Sequence, residues 1–454
     1  MKKLLISLAL FSGLLIAVPP YFLGFSLFNL GHAVQVATSL SAKLACSARF
    51  ISGLDDQQIV SDLSSYSPVT ELVNLKYSNT PSQVSADLFG LAPTVATYRQ
   101  GLGCTIDVDG VDTLDQLASQ PLPEPDHAPW PKGNHVGTVN PAIQNVLESM
   151  LAEDNRNGLD SRAMVVVQDG QIIAEAYGNG FNQTTPLLGW SMGKSITAMM
   201  LGRLEALGKV SKNDTALFDQ WTDTRAELSL EQLLQMSSGL AFDETYAPGS
   251  DATHMLFTAP SASDVAMTSP LDHEPGSHFS YSSGTTNLLS RYIHQTLGSD
   301  PAQTMDFVQT ELFVPAGIST ATFEPDASGV LVGSSYLYAS GRDWARFGLI
   351  MANSGDINGQ KLLPDNWVTA AQAPNTSDNE KSYGYQFWLN RGDDQLRWPS
   401  LPEDAYAMLG NRKQSVMIIP SANTVLVRLG WTSGDYPMED NYKALLDAIL
   451  KAST

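Results

Sequence analysis

The sequence predicts an α+β fold: an antiparallel sheet flanked by helices, plus a mostly helical lobe. Three observations carry that expectation. AMVVVQDGQIIAEAYG (163–178) holds two β-rich runs around Asp169-Gly170, a dipeptide suited to the left-handed turn of a hairpin. SVMIIPSANTVLVRLGW (415–431) repeats the pattern around Pro420-Ser421-Ala422-Asn423. The intervening sequence is mostly helical in spacing or rich in turn residues. Distant segments must therefore supply the sheet, and the middle must supply the lobe.

At the N-terminus, Met1-Lys2-Lys3 precedes the apolar run LLISLALFSGLLIAV, and no Asp, Glu, Lys or Arg recurs until Lys43. A basic start followed by an apolar stretch has the form of a secretion signal. Pro19 and Pro20 interrupt the run, yet it resumes, and the 27 residues from Leu4 to Leu30 can span a bilayer. Gly31-His32-Ala33 offers a small-x-small cleavage site. Residues 1–33 are read as a cleaved signal peptide or an uncleaved membrane anchor. In both cases the rest is exported to the periplasm, soluble or held at the inner membrane.

Export changes how Cys46 and Cys104, the two cysteines, are read. They bracket a polar segment rich in Ser, Asp and Thr. A disulfide closing this loop in an oxidising compartment would contribute roughly 3–4 kcal/mol. Two unrelated free thiols are the alternative. Residues 34–125 thus form an N-terminal region, and 126–454 a second, larger domain. Six prolines in 121–141 mark a linker between them. Residues 142–152 then place Ile143, Val146, Leu147, Met150 and Leu151 on one helical face. EDNYKALLDAILKAS closes the chain as an amphipathic helix.

Composition removes several function classes. The chain has 454 residues, with 47 acids against 26 bases and a formal charge of −21. That field repels phosphate backbones, so no nucleic-acid partner is expected. Seven scattered histidines, two cysteines and no HExxH pair give no zinc signature. His254, His273 and His278 with Asp272 fit no metal spacing and are read as loop residues lining or supporting a cleft. No metal or organic cofactor is expected.

The chemistry lies in LLGWSMGKSITAMMLGRLEALGKV, where two catalytic patterns overlap on Ser191. Gly189-Trp190-Ser191-Met192-Gly193 matches G-x-S-x-G, which requires a β-strand running into the serine and a histidine late in the chain. Pro186 spoils the strand, and no histidine follows His294. Ser191-Met192-Gly193-Lys194 matches S-x-x-K, which requires a helix starting at the serine so that residues i and i+3 share a face. Ile196, Met199, Met200, Leu204 and Leu207 supply that helical spacing. The helix N-terminus would favour a developing oxyanion. A buried Lys194, its pKa lowered by desolvation and neighbouring positive charge, could act as a general base. A bare S-x-x-K also arises by chance in a plain amphipathic helix, so a second motif is needed.

Tyr281-Ser282-Ser283, within PGSHFSYSSGTTNLLSRYI, is that motif. Together with LLGWSMGKS, LEQLLQMSSGLAF and YASGRDWARFGLI, in this order and spacing, it makes the chain from about Asn140 onward resemble the serine β-lactamase and penicillin-binding-protein superfamily. The similarity is to the class C β-lactamase branch that includes 6-aminohexanoate-dimer hydrolases and related esterases. The resemblance implies a β-lactamase-like fold for 126–454, an acylated Ser191, a base at Lys194 and a proton-shuttling Tyr281. Ser283 stands where many β-lactamases carry Asn. The family's third motif corresponds to Gly410-Asn411-Arg412-Lys413-Gln414, where Arg412 and Lys413 replace small residues. There the backbone N–H groups of Ser191 and Gln414 would form the oxyanion hole. One of Arg412 and Lys413 would face the cleft and meet a substrate carboxylate, the alternative being a solvated turn. Trp190 either shapes the acyl pocket or packs in the core.

The implied activity is hydrolysis of a small amide or ester through an acyl-serine. A β-lactamase or D-alanyl-D-alanine carboxypeptidase is the runner-up within the enzyme class. A catalytically silent relative that binds peptide or cell-wall fragments is the alternative outside it. Neither the substrate nor the oligomeric state is fixed by these residues.

Overall fold

The structure, a computed structural model, describes residues 29–117, 121–123, 127–392 and 395–452. The apolar run of the expected signal or anchor lies largely outside the described residues. Gly31-His32-Ala33 falls at the start of helix α1 (Leu30–Phe50). No described helix is long and apolar enough to cross a membrane.

Helix α1 and helix α2 (Asp56–Ser64) pack with a four-stranded antiparallel sheet: β1 (Asn74–Asn79), β2 (Ser82–Leu88), β3 (Leu91–Arg99) and β4 (Gly103–Ile106), in sequential order. The sheet follows from alternation. In β2, Val84, Ala86 and Leu88 point inward between half-exposed Ser and Asp residues. Cys46 on α1 and Cys104 on β4 are joined by a disulfide.

This region is seated against the rest of the chain. The Lys43 ammonium and the Glu324 carboxylate form a fully buried ion pair. Glu324 also accepts from Ser47 Oγ (2.8 Å) and Cys104 N (2.6 Å), so one carboxylate ties α1 and β4 together beside the disulfide. Asp62 on α2 pairs in bidentate fashion with buried Arg162. Its carbonyl accepts from Trp431 Nε1 at 3.0 Å. Instead of hanging free, the second half of the proline-rich stretch is bound to the larger domain. Arg346 donates to Pro131 O (2.8 Å) and Gly133 O (2.7 Å), and Trp130 is buried.

The larger domain begins with helix α3 (Pro141–Arg156), its first turn capped by Asn140, then β5 (Ser161–Gln168) and β6 (Gln171–Tyr177). Asp169 and Gly170 both have positive φ (48° and 75°), as a tight hairpin requires. Helices α4 (Met192–Ala206) and α5 (Ser283–Thr296) belong to the helical lobe, and α6 (Gly341–Ala352) follows it. The chain then returns to the sheet through β7 (Trp388–Leu389), β8 (Tyr406–Gly410), β9 (Gln414–Ile419) and β10 (Thr424–Gly430), and ends in α7 (Met438–Ala452).

The two hairpins meet as expected: β10 pairs antiparallel with β5, giving the order β7-β8-β9-β10-β5-β6. Val416 and Ile418 of β9 join the core shared with α4 and α6. Met417 and Ile419 join the core on the opposite face, shared with α3 and α7. Helices thus cover both faces, and β9 and β10 are buried throughout. This is the expected α+β architecture, an antiparallel sheet covered by helices, joined to a helical lobe.

Candidate active site

Ser191 sits at the N-terminus of α4 with ordinary right-handed backbone angles (φ −61°, ψ −7°). Only Leu187-Leu188 precede it as strand. The nucleophile-elbow geometry is therefore absent, and the S-x-x-K reading of a helix starting at the serine matches the backbone. Helix α4 is less amphipathic than its spacing suggests. Met192–Leu201 are all buried, whereas Leu207 lies past its end and is 40% exposed. Two close approaches place the serine: Gly189 lies under the Trp344 ring, and Gly410 lies against Gly189 O. A Cβ would come within 2.1 Å of its neighbour at either position.

Lys194, one turn on, is 1% exposed. Its Nζ donates to Ser283 Oγ (2.8 Å) and Ser334 O (3.1 Å), and lies 3.5 Å from Ser191 Oγ. Ser334 is held by Asn287, whose Oδ1 accepts from Ser334 N (3.2 Å) and whose Nδ2 donates to Ser334 Oγ (3.1 Å). Burial lowers the Lys194 pKa to about 8, against the opposing pull of Glu244. The sequence reading assigned part of that shift to neighbouring positive charge. The charge beside Lys194 is instead a carboxylate, so desolvation alone drives the shift.

Tyr281 is half-buried, with its ring stacked on Trp388 (centroids 5.3 Å apart) and edge-on to Tyr383 (6.0 Å). Lys194 Nζ lies 5.1 Å from its ring centroid. Burial pushes the Tyr281 phenol well above the usual tyrosine range, and the adjoining Ser191 hydroxyl acts the other way. Ser282 caps α5 by accepting from Thr285 N (3.0 Å), which sets Tyr281 just ahead of the helix and Ser283 in its first turn.

Glu244 was missed by the sequence reading. Its Oε2 accepts from Ser283 N (2.7 Å) and its Oε1 from Ser283 Oγ (2.5 Å). Ser283 therefore donates to Glu244 while accepting from Lys194. The available signal was the acidic pair Asp243-Glu244 after LEQLLQMSSGLAF, a segment already singled out.

The Asn411–Gln414 stretch is a turn between β8 and β9. Arg412 and Lys413 both have positive φ (60° and 63°), where a side chain costs on the order of 1–3 kcal/mol and small residues are favoured. Asn411 is spent on the turn, its Oδ1 accepting from Arg412 N (2.7 Å). Arg412 is buried, with its guanidinium 3.8 Å from the Tyr66 ring centroid. Lys413 is exposed and 3.7 Å from Asp435. The Gln414 side chain is engaged on both sides of the Gly430 peptide, through Gly430 O and N. Trp190, directly before the nucleophile and also at positive φ (49°), is buried among Tyr66, Tyr336 and Trp431.

His254 is within a helix and bonds Thr258, while His273 and His278 stack on each other at 3.9 Å. No group of three or more metal-ligating side chains occurs among the described residues.

A family model described as Beta-lactamase matches residues 143–451, well over half of the chain. Among curated proteins, the 6-aminohexanoate-dimer hydrolase of Paenarthrobacter ureafaciens is 21% identical over 295 residues, covering 60% of this chain and 73% of that protein. Two solved structures share the fold. EstCE1, described as a hydrolase with promiscuous acyltransferase activity, has a TM-score of 0.55 at 14% identity, covering 68% of this chain and 98% of its own. A family VIII carboxylesterase has a TM-score of 0.54 at 12% identity, covering 69% and 98%. The matched span contains Ser191, Lys194 and Tyr281, and the chain belongs to the beta-lactamase family of serine hydrolases.

Proposed function

We propose that this protein is an exported amidase or esterase of the 6-aminohexanoate-dimer hydrolase and esterase type, working in two steps through an acyl-Ser191. The observation that carries the reading is Lys194, a buried amine with a pKa near 8 within reach of the Ser191 hydroxyl. Neutral Lys194 takes the hydroxyl proton as Oγ attacks the substrate carbonyl carbon. Negative charge develops on the carbonyl oxygen and is received by the Ser191 and Gln414 N–H groups, near the positive end of α4. The proton passes through Tyr281 to the departing amine or alcohol as its bond to the acyl carbon breaks. Water then attacks the acyl-serine, giving its proton to the Tyr281–Lys194 pair, and Ser191 Oγ leaves with a proton restored. The full set of acceptors around Lys194 Nζ favours this reading over a silent binding protein.

Intact-mass spectrometry tests it. The protein is incubated with a fluorophosphonate, a p-nitrophenyl ester, a linear aminohexanoate dimer and a penicillin, beside Ser191→Ala. A mass shift or turnover that Ser191→Ala abolishes is the expected result. Inertness of the folded wild type across all four would rule the reading out.

A further inference from the structure

Four large apolar side chains project into solvent at one end of the N-terminal region: Phe89 (78% exposed), Leu91 (61%), Leu72 (56%) and Leu30 (51%). Phe89 and Gly90 form the two-residue turn between paired Leu88 and Leu91, and both have positive φ (54° and 81°). Such a turn favours Asn-Gly or Asp-Gly, and a phenylalanine there is strained as well as wet. Neither the turn nor the core requires it. A residue that breaks a local rule with no gain inside the fold points to a contact outside it.

Topology gathers the four. Asn74 pairs with Asp87, so the chain enters β1 beside the β2–β3 turn, and Leu72 sits at that end. Helix α1 runs along β3 in the same sense: the Gln35 and Thr38 side chains bond Thr94 (3.2 Å each), and Phe50 stacks on Tyr98 (5.6 Å). Leu30 lies about 8 Å beyond Gln35 and Leu91 about 10 Å beyond Thr94, toward the same end. Asn29 fixes the entry of the chain there, its Nδ2 donating to Pro248 O at 3.3 Å. The apolar run that starts at Leu4 therefore ends on this cluster. Segments 29–42, 66–75 and 86–98, which build this end, hold no Lys or Arg, and Glu71 and Asp87 are their only acids. In a chain of formal charge −21, this end is apolar and close to neutral.

We propose that Leu30, Leu72, Phe89 and Leu91 form a cap that inserts into the interfacial layer of a phospholipid bilayer, a second membrane contact beside the N-terminal run. The proposal rests on a retained, membrane-spanning run and owes nothing to the chemistry at Ser191. A spanning run holds the cap at the bilayer surface, where the high local concentration makes a contact of four side chains sufficient. The attraction is the removal of apolar surface from water. With no cation in these segments to meet anionic lipid, it persists in zwitterionic lipid and at high salt.

The test uses the full chain in phosphatidylcholine vesicles. Phe89→Cys carries an environment-sensitive nitrobenzoxadiazole label, the native cysteines being occupied by their disulfide. Gln100→Cys, in the exposed turn between β3 and β4 at the other end of the sheet, carries the same label as control. Emission from position 89 shifts to the blue and is quenched by nitroxide placed on the lipid headgroup or upper acyl chain, equally at low and high salt. Position 100 shows neither effect. Adding Leu72→Ser and Leu91→Ser to the chain labelled at 89 lowers the quenching several-fold, while the protein still floats with the vesicles. Equal quenching at the two positions, or none at 89, overturns the proposal, and so does a full chain that does not float. A blue shift at 89 that lipid nitroxide leaves untouched puts the N-terminal run or a second copy over the cap, and overturns it as well. Turnover is not read here, so failure of the cap and failure of the hydrolase reading are separate results.

Discussion

Glu244 takes both protons that Ser283 can offer, its N–H at 2.7 Å and its hydroxyl at 2.5 Å. The hydroxyl oxygen is thereby turned with a lone pair toward Lys194 Nζ, 2.8 Å away. Glu244 reaches the base only through Ser283, which makes it a positioning residue. Its charge also favours protonated Lys194, against the desolvation that favours the neutral amine.

Glu244→Gln should therefore move the acid limb of the kcat/KM profile to lower pH, because it removes the charge that holds the Lys194 pKa up. The weaker base left behind should reduce the plateau rate by about tenfold. A loss of rate with an unmoved limb would assign Glu244 a purely structural role. The measurement is a pH–rate series on one activated ester.

The wild-type profile should rise with pH through about 8, since the reactive form of Lys194 is the neutral one. Lys194→Met, similar in length and uncharged, should lower kcat/KM by at least 10³-fold while the protein melts normally. The same depressed pKa makes the unfolded chain the better proton binder between about 8 and 10.5. Folding stability should accordingly increase over that interval as pH rises.

Tyr281→Phe keeps the stack on Trp388 and removes only the hydroxyl. It should lower kcat by about 10²–10⁴-fold with little change in melting temperature. Single-turnover mass spectrometry should show which half-reaction suffers, by whether acyl-Ser191 accumulates.

Lys43→Met or Glu324→Gln alone should each cost about 3–5 kcal/mol by stranding a buried partner. The double variant should recover much of that loss, a non-additivity readable from urea unfolding. Replacing Cys46 and Cys104 together by Ser should cost about 2–5 kcal/mol in the same assay.

What could be read in advance followed from how strongly each element writes itself into local sequence. Strands β5, β9 and β10 are near-continuous apolar runs beside turn residues, because both faces of the sheet are covered there. The sheet of the N-terminal region was illegible because its inward positions are few and small, such as Ala86 and Ala96, amid Ser and Thr. Ser191, Lys194 and Tyr281 stood out because i, i+3 spacing and a capped helix start are local patterns. Glu244 did not, since its partner lies 39 residues away and is met only after folding. Local sequence left Arg412 open between the cleft and a solvated turn, because its burial depends on Tyr66, contributed by a segment remote in sequence.

Inheritance and folding draw different borders in this chain. The span shared with the family begins at residue 143, yet Glu324, deep inside it, has its counter-ion on Lys43 and a further donor on Cys104. Cutting the gene at the homology border would leave that carboxylate without its cation, strip the covering from Tyr336 and Tyr338, and open the wall behind Trp190. The smallest autonomous unit is therefore longer than the shared one. Truncations or fusions meant to isolate the hydrolase should begin ahead of α1, because losing residues 30–117 would expose the surface they cover.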